Sequence, residues 1–441
     1  MAAGGSYRAL VHSAEQIVQV VRNGERLVTG KALSDLAVLD KGEDSSGLSI
    51  VVSSDGLISD IGTDEDIFEK YKSVEFSEKV NAAGKCVLPG LVDAHTHPVW
   101  AGDRVKEFSM KLAGMSYMDI HKIGGGIYYT VEQTRKASEN TLLRLLLARL
   151  DQMLKSGTTL VEAKSGYGLQ MQTEMKMLQV IEKAKIESPI EISSTFCGAH
   201  AVPKHMTSHQ ATEAVLNEQL PAVAEFMKAG EFTVDNIDVF CEKGVFDLEQ
   251  SRRILSAGKE MGLQINFHGD ELNPMEAAKM GAELGAKAIS HLEEISTQGI
   301  LAMAQSGTVA VVLPTTAYML RLRPPPVKRM IEAGVPIALG TDFNPNAFCY
   351  SMPLVMHLAC VLCGMTMEQA LQASTINAAA ALGKADTHGS LERGKCADML
   401  IINAPRWEHL IYQMGAHSSL IDKVMKKGKV VYENKMSEML I

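Results

Sequence analysis

The 441-residue chain lacks an excess of basic residues, since 43 Lys and Arg face 52 Asp and Glu and give a formal net charge of −9. Proteins that bind nucleic acids normally present a basic surface, so we expect no nucleic-acid partner. An anionic small molecule would need a local Arg or Lys to bind it.

Long hydrophobic runs are also missing. The longest, at about residues 352–365, contains His357 and falls short of the roughly 18 residues of a membrane helix, so we expect no membrane association. The first residues lack a basic stretch followed by an apolar one, which predicts no signal peptide. Seven cysteines do not make a disulfide scaffold in a chain of this length, and we expect a reducing, cytoplasmic location.

Several catalytic signatures are absent as well. The chain has no P-loop and no Gly-x-Gly-x-x-Gly motif, so the common nucleotide-binding loops find no support. It also has no Gly-x-Ser-x-Gly elbow, which leaves a serine hydrolase unsupported. The glycine run at residues 124–126 follows no strand pattern. It is predicted to be a loop and is a candidate for closing over a bound ligand.

What the chain does have is strand patterning at both ends. One pair of strand-like runs flanks Asp55-Gly56, a typical hairpin turn, and another flanks Gly428. We expect the ends to pair into one small β-domain, made of residues 1–88 and 389–441. The predicted strands lie at residues 49–62, 397–403 and 422–434.

The centre alternates strand-like and helix-like segments. Eight apolar segments of strand length predict an α/β fold, a (β/α)8 barrel of the TIM type over residues 89–388. A doubly wound open sheet is the alternative. Such a barrel carries its functional residues just after the C-terminal ends of its strands. The predicted strands lie at residues 86–94, 159–163, 191–197, 237–241, 264–267, 287–290, 308–313 and 336–339.

Candidate metal ligands stand at several of these strand ends. His95 and His97 are two residues apart, so extended backbone would point both imidazoles to one side. His268 and Asp342 each end a separate predicted strand. Three imidazole nitrogens and one carboxylate suit zinc or ferrous iron, with a position left for water. We therefore predict one divalent ion on these four residues.

Residues near the predicted ligands suggest acid–base chemistry. Glu271 lies three residues after His268 and is the predicted general base, with Asp270 as its rival. His291 exceeds a four-ligand set, so it is a fifth ligand, a residue that orients a ligand, or a group that polarises a carbonyl. Lys164 is either a carbamylated bridge between two metals or part of a structural ion pair. The ion pair is favoured because the ligand set is complete for one ion.

Arg104 follows the His95-x-His97 motif and is the candidate for binding an anionic substrate. Its guanidinium can hold a carboxylate by two parallel hydrogen bonds, while the alternative is a surface salt bridge. Tyr167 and His200 follow the second and third predicted strands and are candidates for hydrogen bonds to a substrate.

At these residues the chain resembles the amidohydrolase superfamily. The resemblance rests on the His268 and Asp342 strand ends and on the segments LPGLVDAHTHP and HGSLERGKCADMLIIN. It implies a metal-bearing barrel with a small β-sandwich formed by both chain ends. A narrower resemblance covers nearly the whole chain and rests on DAHTHPVWAGDR, TTLVEAKSGYGL, FCGAHAVP, NIDVFCEKGVF, INFHGDEL, LPTTAYML and TDFNPN.

The narrower resemblance is to the hydrolases of histidine degradation that convert 4-imidazolone-5-propanoate to N-formimidoyl-L-glutamate. It implies one zinc or iron ion, a small-molecule substrate and a homodimer. As a hypothesis on the mechanism, we predict that Glu271 and His291 are the catalytic residues. The implied substrate contacts are Arg104, Tyr167, His200, Glu271 and Asn344.

Two features qualify this resemblance. The chain departs from bacterial members at Asn346 and Ala347, where they have a glycine and a hydroxyl residue. Two alternative functions also remain. A deaminase of a cyclic amidine base would not need Arg104 as a carboxylate clamp. A non-catalytic member that assembles with partners would not need its ligands, and all four are present.

Overall fold

The computed structural model describes residues 7–43, 45–115 and 125–435, so Gly124 of the predicted loop lies outside the described residues. The chain divides into two compact units. One comprises Met1–Asp93, Gln152–Leu160 and Ser351–Ile441, and the other comprises Ala94–Asp151 and Val161–Tyr350.

The described residues form eighteen strands. They are β1 (Tyr7–Ala14), β2 (Gln16–Val20), β3 (Ala37–Asp40), β4 (Leu48–Ser53), β5 (Ile58–Thr63), β6 (Phe76–Asn81), β7 (Cys86–Pro89), β8 (Leu91–Asp93), β9 (Thr158–Lys164), β10 (Glu191–Ala199), β11 (Asn236–Cys241), β12 (Gln264–Gly269), β13 (Ala288–His291), β14 (Val309–Val312), β15 (Ile337–Leu339), β16 (Met399–Ile402), β17 (Ile421–Lys426) and β18 (Lys429–Glu433).

The helices fill most of the remaining chain. They are α1 (Asp64–Lys70), α2 (Val105–Leu112), α3 (Ile127–Lys136), α4 (Glu139–Lys155), α5 (Met171–Glu187), α6 (Ser208–Ala214), α7 (Leu220–Ala229), α8 (Leu248–Glu260), α9 (Ala277–Leu284), α10 (Thr297–Ser306), α11 (Pro314–Leu320), α12 (Val327–Ala333), α13 (Met352–Cys363), α14 (Met367–Ala373), α15 (Ile376–Ala381), α16 (His409–Tyr412) and α17 (His417–Leu420). A 3₁₀ helix spans Gly30–Ser34 and a π-helix spans Val215–Gln219.

The predicted barrel is confirmed. Strands β8 to β15 form one eight-stranded sheet in which spatial order follows chain order. The register given for β10 through β15 is parallel throughout. Helices stand between consecutive strands, as a βα repeat requires.

The sheet closes where its first and last strands end. Thr96 forms a parallel bridge with Phe343, the Asp342 N–H donates to His95 O at 3.0 Å, and the His97 N–H donates to Phe343 O at 2.8 Å. We call this junction, residues 94–97 with 339–343, the seam. It brings the predicted ligands on either side of it next to each other.

The predicted strand at residues 86–94 is two strands in two different sheets. β7 joins the end sheet described below and β8 begins the barrel sheet, with Gly90 between them. A Cβ at Gly90 would stand 2.1 Å from Thr159 Oγ1, so only glycine fits this close approach. An apolar run shows no such change of sheet, which is why the sequence pattern merged them.

The predicted β-sandwich from both chain ends is also confirmed. A four-stranded sheet has the order β5-β4-β1-β6, and a six-stranded sheet has the order β18-β17-β16-β7-β2-β3. Strands from the two chain ends pair directly, β16 with β7. The hairpin turns at Gly56 and Gly428 have φ of +88° and +75°, which glycine adopts readily.

The core of this sandwich is aliphatic. Its buried members share branched or unbranched apolar side chains that pack between the two sheets. They include Val11, Ile17, Ile50, Val52, Val87, Met399, Ile401 and Met425.

The structure bears on two earlier expectations, which concern membrane helices and disulfide bonds. Among the described residues, no helix is both long and apolar enough to cross a membrane. All seven cysteines are free thiols, and five of them are buried.

Candidate metal centre and active site

The four predicted metal ligands converge beside the seam, and all four side chains are buried. His97 Nε2 lies 3.1 Å from His268 Nε2. Asp342 Oδ1 lies 3.5 Å from His95 Nε2 and 3.7 Å from His97 Nε2. Ligand atoms bound at about 2.0–2.1 Å around a tetrahedral ion stand about 3.4 Å apart. The three histidines therefore form a group that could hold one ion, and Asp342 lies beside His95 and His97.

The hydrogen bonding of Asp342 supports the same conclusion. Its Oδ2 accepts a hydrogen bond from Thr316 Oγ1, whereas its buried Oδ1 has no hydrogen-bond partner among the described residues. An orphaned carboxylate oxygen facing imidazole nitrogens is costly unless a cation binds there. Burial raises the pKa of Asp342 and thereby disfavours its ionised form. A bound cation would favour the ionised form instead. These residues could hold a divalent metal ion.

Two of the predicted ligand imidazoles contact, at Nδ1, side chains that were not predicted from the sequence. His268 Nδ1 lies 2.8 Å from Asp238 Oδ1, and His95 Nδ1 lies 2.7 Å from Ser290 Oγ. The ring of His97 instead stacks on His200, with centroids 4.6 Å apart and planes 12° apart. The three imidazoles thus keep their Nε2 atoms directed at one point.

Lys164 forms the structural ion pair that the sequence analysis favoured. Its Nζ lies 2.6 Å from Asp238 Oδ2 and 2.7 Å from Glu162 Oε1, and all three side chains are buried. Burial alone would raise the pKa of Asp238, but His268 and Lys164 outweigh it and hold that pKa below its ordinary range. Burial likewise disfavours the Lys164 ammonium, yet the two carboxylates raise its pKa overall.

Glu271 and His291 lie next to the ligand cluster. Glu271 Oε2 is 3.5 Å from His291 Nε2, and the His291 ring stacks on that of His268 with centroids 5.2 Å apart. Burial raises the pKa of Glu271 well above its ordinary value, and the Glu293 and Asp342 carboxylates add to the rise. Burial lowers the pKa of His291. The pair can hold one proton between a carboxyl and a neutral imidazole.

Asp270, the rival to Glu271, is committed to the backbone. Its carboxylate accepts hydrogen bonds from the N–H groups of Met275, Ala277 and Ala278 at 2.8, 3.1 and 2.8 Å, at the start of α9. A carboxylate at a helix N-terminus is stabilised in place by those donors. Glu271 is therefore the carboxylate of this pair that faces the cluster.

Glu293 is a third buried carboxyl group that the sequence analysis did not single out. Its Oε2 lies 3.8 Å from His291 Nδ1, and neither of its oxygens has a hydrogen-bond partner among the described residues. Burial raises its pKa to about 8. The preceding His291 and Leu292 both have positive φ, +78° and +71°, which is uncommon for residues other than glycine.

Arg104 is only partly available to a ligand. Its Nε donates to Glu107 Oε2 at 2.8 Å, and 8% of its side chain is exposed. Glu107 Oε1 in turn accepts the Gly126 N–H at 2.8 Å, which ties the described end of the glycine run to this pair. Arg104 therefore forms an ion pair with Glu107, and this pair is largely shielded from solvent.

Tyr167 and His200 lie close to the ligands. The Tyr167 ring centroid is 6.0 Å from that of His97 and 5.3 Å from that of His200. Burial raises the pKa of Tyr167, and the positive charge of Arg104 partly opposes this rise. His200 Nδ1 lies 3.1 Å from Gly166 O, and burial lowers the pKa of His200 to about 3.

Asn344 is held within its own turn. Its Nδ2 donates to Asp342 O at 2.7 Å, and its Oδ1 accepts the N–H groups of Asn346 and Ala347 at 2.7 and 3.1 Å. The side chain shapes the loop after β15. Of the departures from bacterial sequences, Asn346 Oδ1 accepts a hydrogen bond from Lys111 Nζ and Ala347 is buried.

Comparison with known proteins defines the class first. A profile of the amidohydrolase family matches residues 86–431, and the chain belongs to that family. Within the family, the chain is similar to full-length proteins named "Probable imidazolonepropionase". It is 60% identical to the protein from Nematostella vectensis, 59% to that from Mus musculus and 58% to that from Homo sapiens. The alignments cover 97–98% of this chain and 99–100% of each relative.

Solved structures support the fold. A guanine deaminase from C. acetobutylicum, with guanine bound, superimposes with a TM-score of 0.71 over 96% of this chain and 100% of that one, at 15% identity. An adenosine deaminase from Xanthomonas campestris, with zinc bound, gives a TM-score of 0.69 over 97% and 93%, at 17% identity. At such identity the likeness concerns the fold alone.

Proposed function

We propose that this chain hydrolyses the ring C–N bond of 4-imidazolone-5-propanoate to give N-formimidoyl-L-glutamate, in histidine degradation. The observation that carries the proposal is the Glu271–His291 pair, with atoms 3.5 Å apart, beside a cluster of four buried ligands. Relatives 56–60% identical over nearly the whole chain bear the corresponding name.

We propose that one zinc or iron ion binds His95, His97, His268 and Asp342. When bound, such an ion polarises a carbonyl and lowers the pKa of water. The orphaned Asp342 Oδ1 and the 3.1 Å approach of two Nε2 atoms support this ligand set. The chemistry of the donors suits either metal.

Glu271 acts as the base and then as the acid. Its Oε2 takes a proton from the attacking water and later gives it to the departing ring nitrogen. A carboxyl whose pKa is raised by burial can do both near neutral pH. His291 Nε2, 3.5 Å from that carboxyl, donates to the developing oxyanion.

Arg104 and Tyr167 hold the propanoate group of the substrate. Because Glu107 takes Arg104 Nε, the two terminal nitrogens form the bidentate contact. His200 contacts the imidazolone ring from its place on the His97 ring face. Glu271 contacts the ring as well. Asn344 contributes to binding through the loop that it shapes.

The proposal extends to organisation. We propose the domain division 1–88, 89–388 and 389–441, a cytoplasmic location supported by the seven free thiols, and a homodimer as the family resemblance implies. Sedimentation of the purified chain tests the dimer.

A turnover assay on 4-imidazolone-5-propanoate, with metal content measured on the same sample, tests the function. We expect ring absorbance to be lost only in metal-loaded protein, with about one ion per chain. Ammonia release from a nucleobase, without loss of imidazolonepropanoate, would instead identify a deaminase. A well-folded protein that binds no metal would favour the non-catalytic alternative.

A further inference from the structure

We propose that Asp238 and Lys164 are positioning residues for the metal centre. Asp238 fixes His268 in the tautomer that carries its proton on Nδ1, and Lys164 holds the Asp238 carboxylate in place. The inference rests on the proposed metal-dependent function, and it concerns two residues outside the proposed sets of metal ligands and substrate contacts.

Asp238 accepts two hydrogen bonds from His268, one from the ring and one from the backbone. Asp238 Oδ1 accepts from His268 Nδ1 at 2.8 Å and from the His268 backbone N–H at 3.1 Å. One carboxylate oxygen thereby fixes both the ring rotation and the strand position of the same residue. With the proton on Nδ1, the lone pair of Nε2 points at the ligand cluster, where His97 Nε2 lies 3.1 Å away.

The positive charge of Lys164 holds the Asp238 carboxylate in place. Lys164 Nζ lies between Asp238 Oδ2, at 2.6 Å, and Glu162 Oε1, at 2.7 Å. Glu162 Oε1 also accepts from Thr195 Oγ1 at 2.6 Å, so the cation and both carboxylates have partners. A buried carboxylate persists only when a cation and hydrogen bonds compensate for its lost hydration. An uncharged Lys164 would leave Asp238 without that compensation.

The other two imidazoles show that this arrangement is specific to His268. His95 Nδ1 contacts a neutral hydroxyl, Ser290 Oγ, at 2.7 Å. His97 Nδ1 has no hydrogen-bond partner among the residues described. Charge-assisted hydrogen bonds are about twice as strong as neutral ones. Asp238 therefore makes His268 the most firmly oriented of the three imidazoles.

Metal affinity of the full-length chain tests the proposal without any substrate. We compare Asp238→Asn with Glu162→Gln by Zn²⁺ competition against a chromophoric chelator. Asp238→Asn should weaken Zn²⁺ binding by about 10- to 100-fold, the usual cost of losing such a partner. Glu162→Gln is the matched control, because it removes a carboxylate bound to the same lysine but spares the His268 bond. It should change the affinity much less.

Equal losses in the two variants would reduce Asp238 to a general stabiliser of the barrel interior, and unchanged affinity in Asp238→Asn would overturn the proposal outright. If that variant does not fold, the wild-type protein decides. In ¹⁵N-histidine spectra of the zinc-loaded and the chelated protein, His268 should keep its proton on Nδ1. A proton on Nε2 after chelation would contradict the proposal. Neither readout depends on the substrate, so failure of the proposed function is distinguishable.

Discussion

The core of the sandwich and the candidate site in the barrel unit bury different kinds of side chain. The sandwich core consists of aliphatic residues and methionines, such as Ile50 and Met425. The barrel unit, beside its apolar core, buries a polar cluster of three proposed metal-ligand histidines, a lysine and several carboxylates. Burying an apolar group is favourable, whereas burying a charged one is costly unless it is paired. The aliphatic core of the sandwich therefore stabilises the fold, whereas the polar cluster of the barrel unit is suited to chemistry.

The largest effect expected in the barrel comes from Glu271→Gln, which keeps the shape but removes the proton acceptor. We expect kcat on imidazolonepropanoate to fall by about 10²- to 10⁴-fold, since that is the usual contribution of general acid–base catalysis. Metal content should stay at the wild-type level. Glu276→Gln, an exposed carboxyl on the same loop, is the control and should retain full turnover. Near-wild-type turnover of metal-loaded Glu271→Gln would remove the base from the mechanism.

The matching change in the sandwich is Ile50→Ala, at a fully buried position of β4. Removal of the side chain should lower the free energy of unfolding by about 2–5 kcal/mol, measured by denaturant titration. Folded protein should keep the wild-type kcat, because no proposed site residue lies in that core. A variant that is stable yet loses kcat would break the division between the two interiors.

Arg104→Ala is expected to act on binding more than on chemistry. Loss of the bidentate contact should raise KM by about 10- to 100-fold, while kcat changes less, as charged hydrogen bonds contribute about 1.5–3 kcal/mol. Steady-state kinetics measures both. Arg144→Ala, at an exposed arginine on α4, is the control. An unchanged KM would exclude Arg104 as the carboxylate clamp.

A pH dependence of stability is expected from Glu293. The folded protein keeps this proton up to about pH 8, whereas an unfolded glutamate loses it near pH 4.5. The folded state thus binds more protons in that window, so stability falls as the pH rises through it. In chelated protein, the Tm of Glu293→Gln should decline less between pH 5 and 8 than that of the wild type. Parallel curves would show that Glu293 is ionised throughout.

Much of the barrel could be predicted from the sequence, and the four proposed ligands were singled out because each follows an apolar run of strand length. His268 after Gln-Ile-Asn-Phe and Asp342 after an alanine–leucine run are such cases. The change of sheet at Gly90 could not be predicted, since the same apolar residues suit both sheets. Only the packing against Thr159 distinguishes them.

The supporting residues were harder to find for a related reason. Asp238 lies within a strand rather than at its end, and its importance depends on the neighbouring strand that carries His268. Glu293 follows two residues with positive φ. Residues other than glycine rarely adopt this backbone conformation, and it could not be predicted from the sequence. Its one signal is the doubled acid in Ser-His-Leu-Glu-Glu.

The seam has a consequence for the order in which the molecule matures on the ribosome. His95 and His97 leave the ribosome early, but Asp342 and its hydrogen bond to His95 O come from the last barrel strand's end. The four-ligand set cannot exist until that strand has been synthesised and the ring has closed. The proposed ion could therefore bind all four residues only after the barrel has been fully synthesised, and a chain truncated before β15 should lack the proposed ligand Asp342.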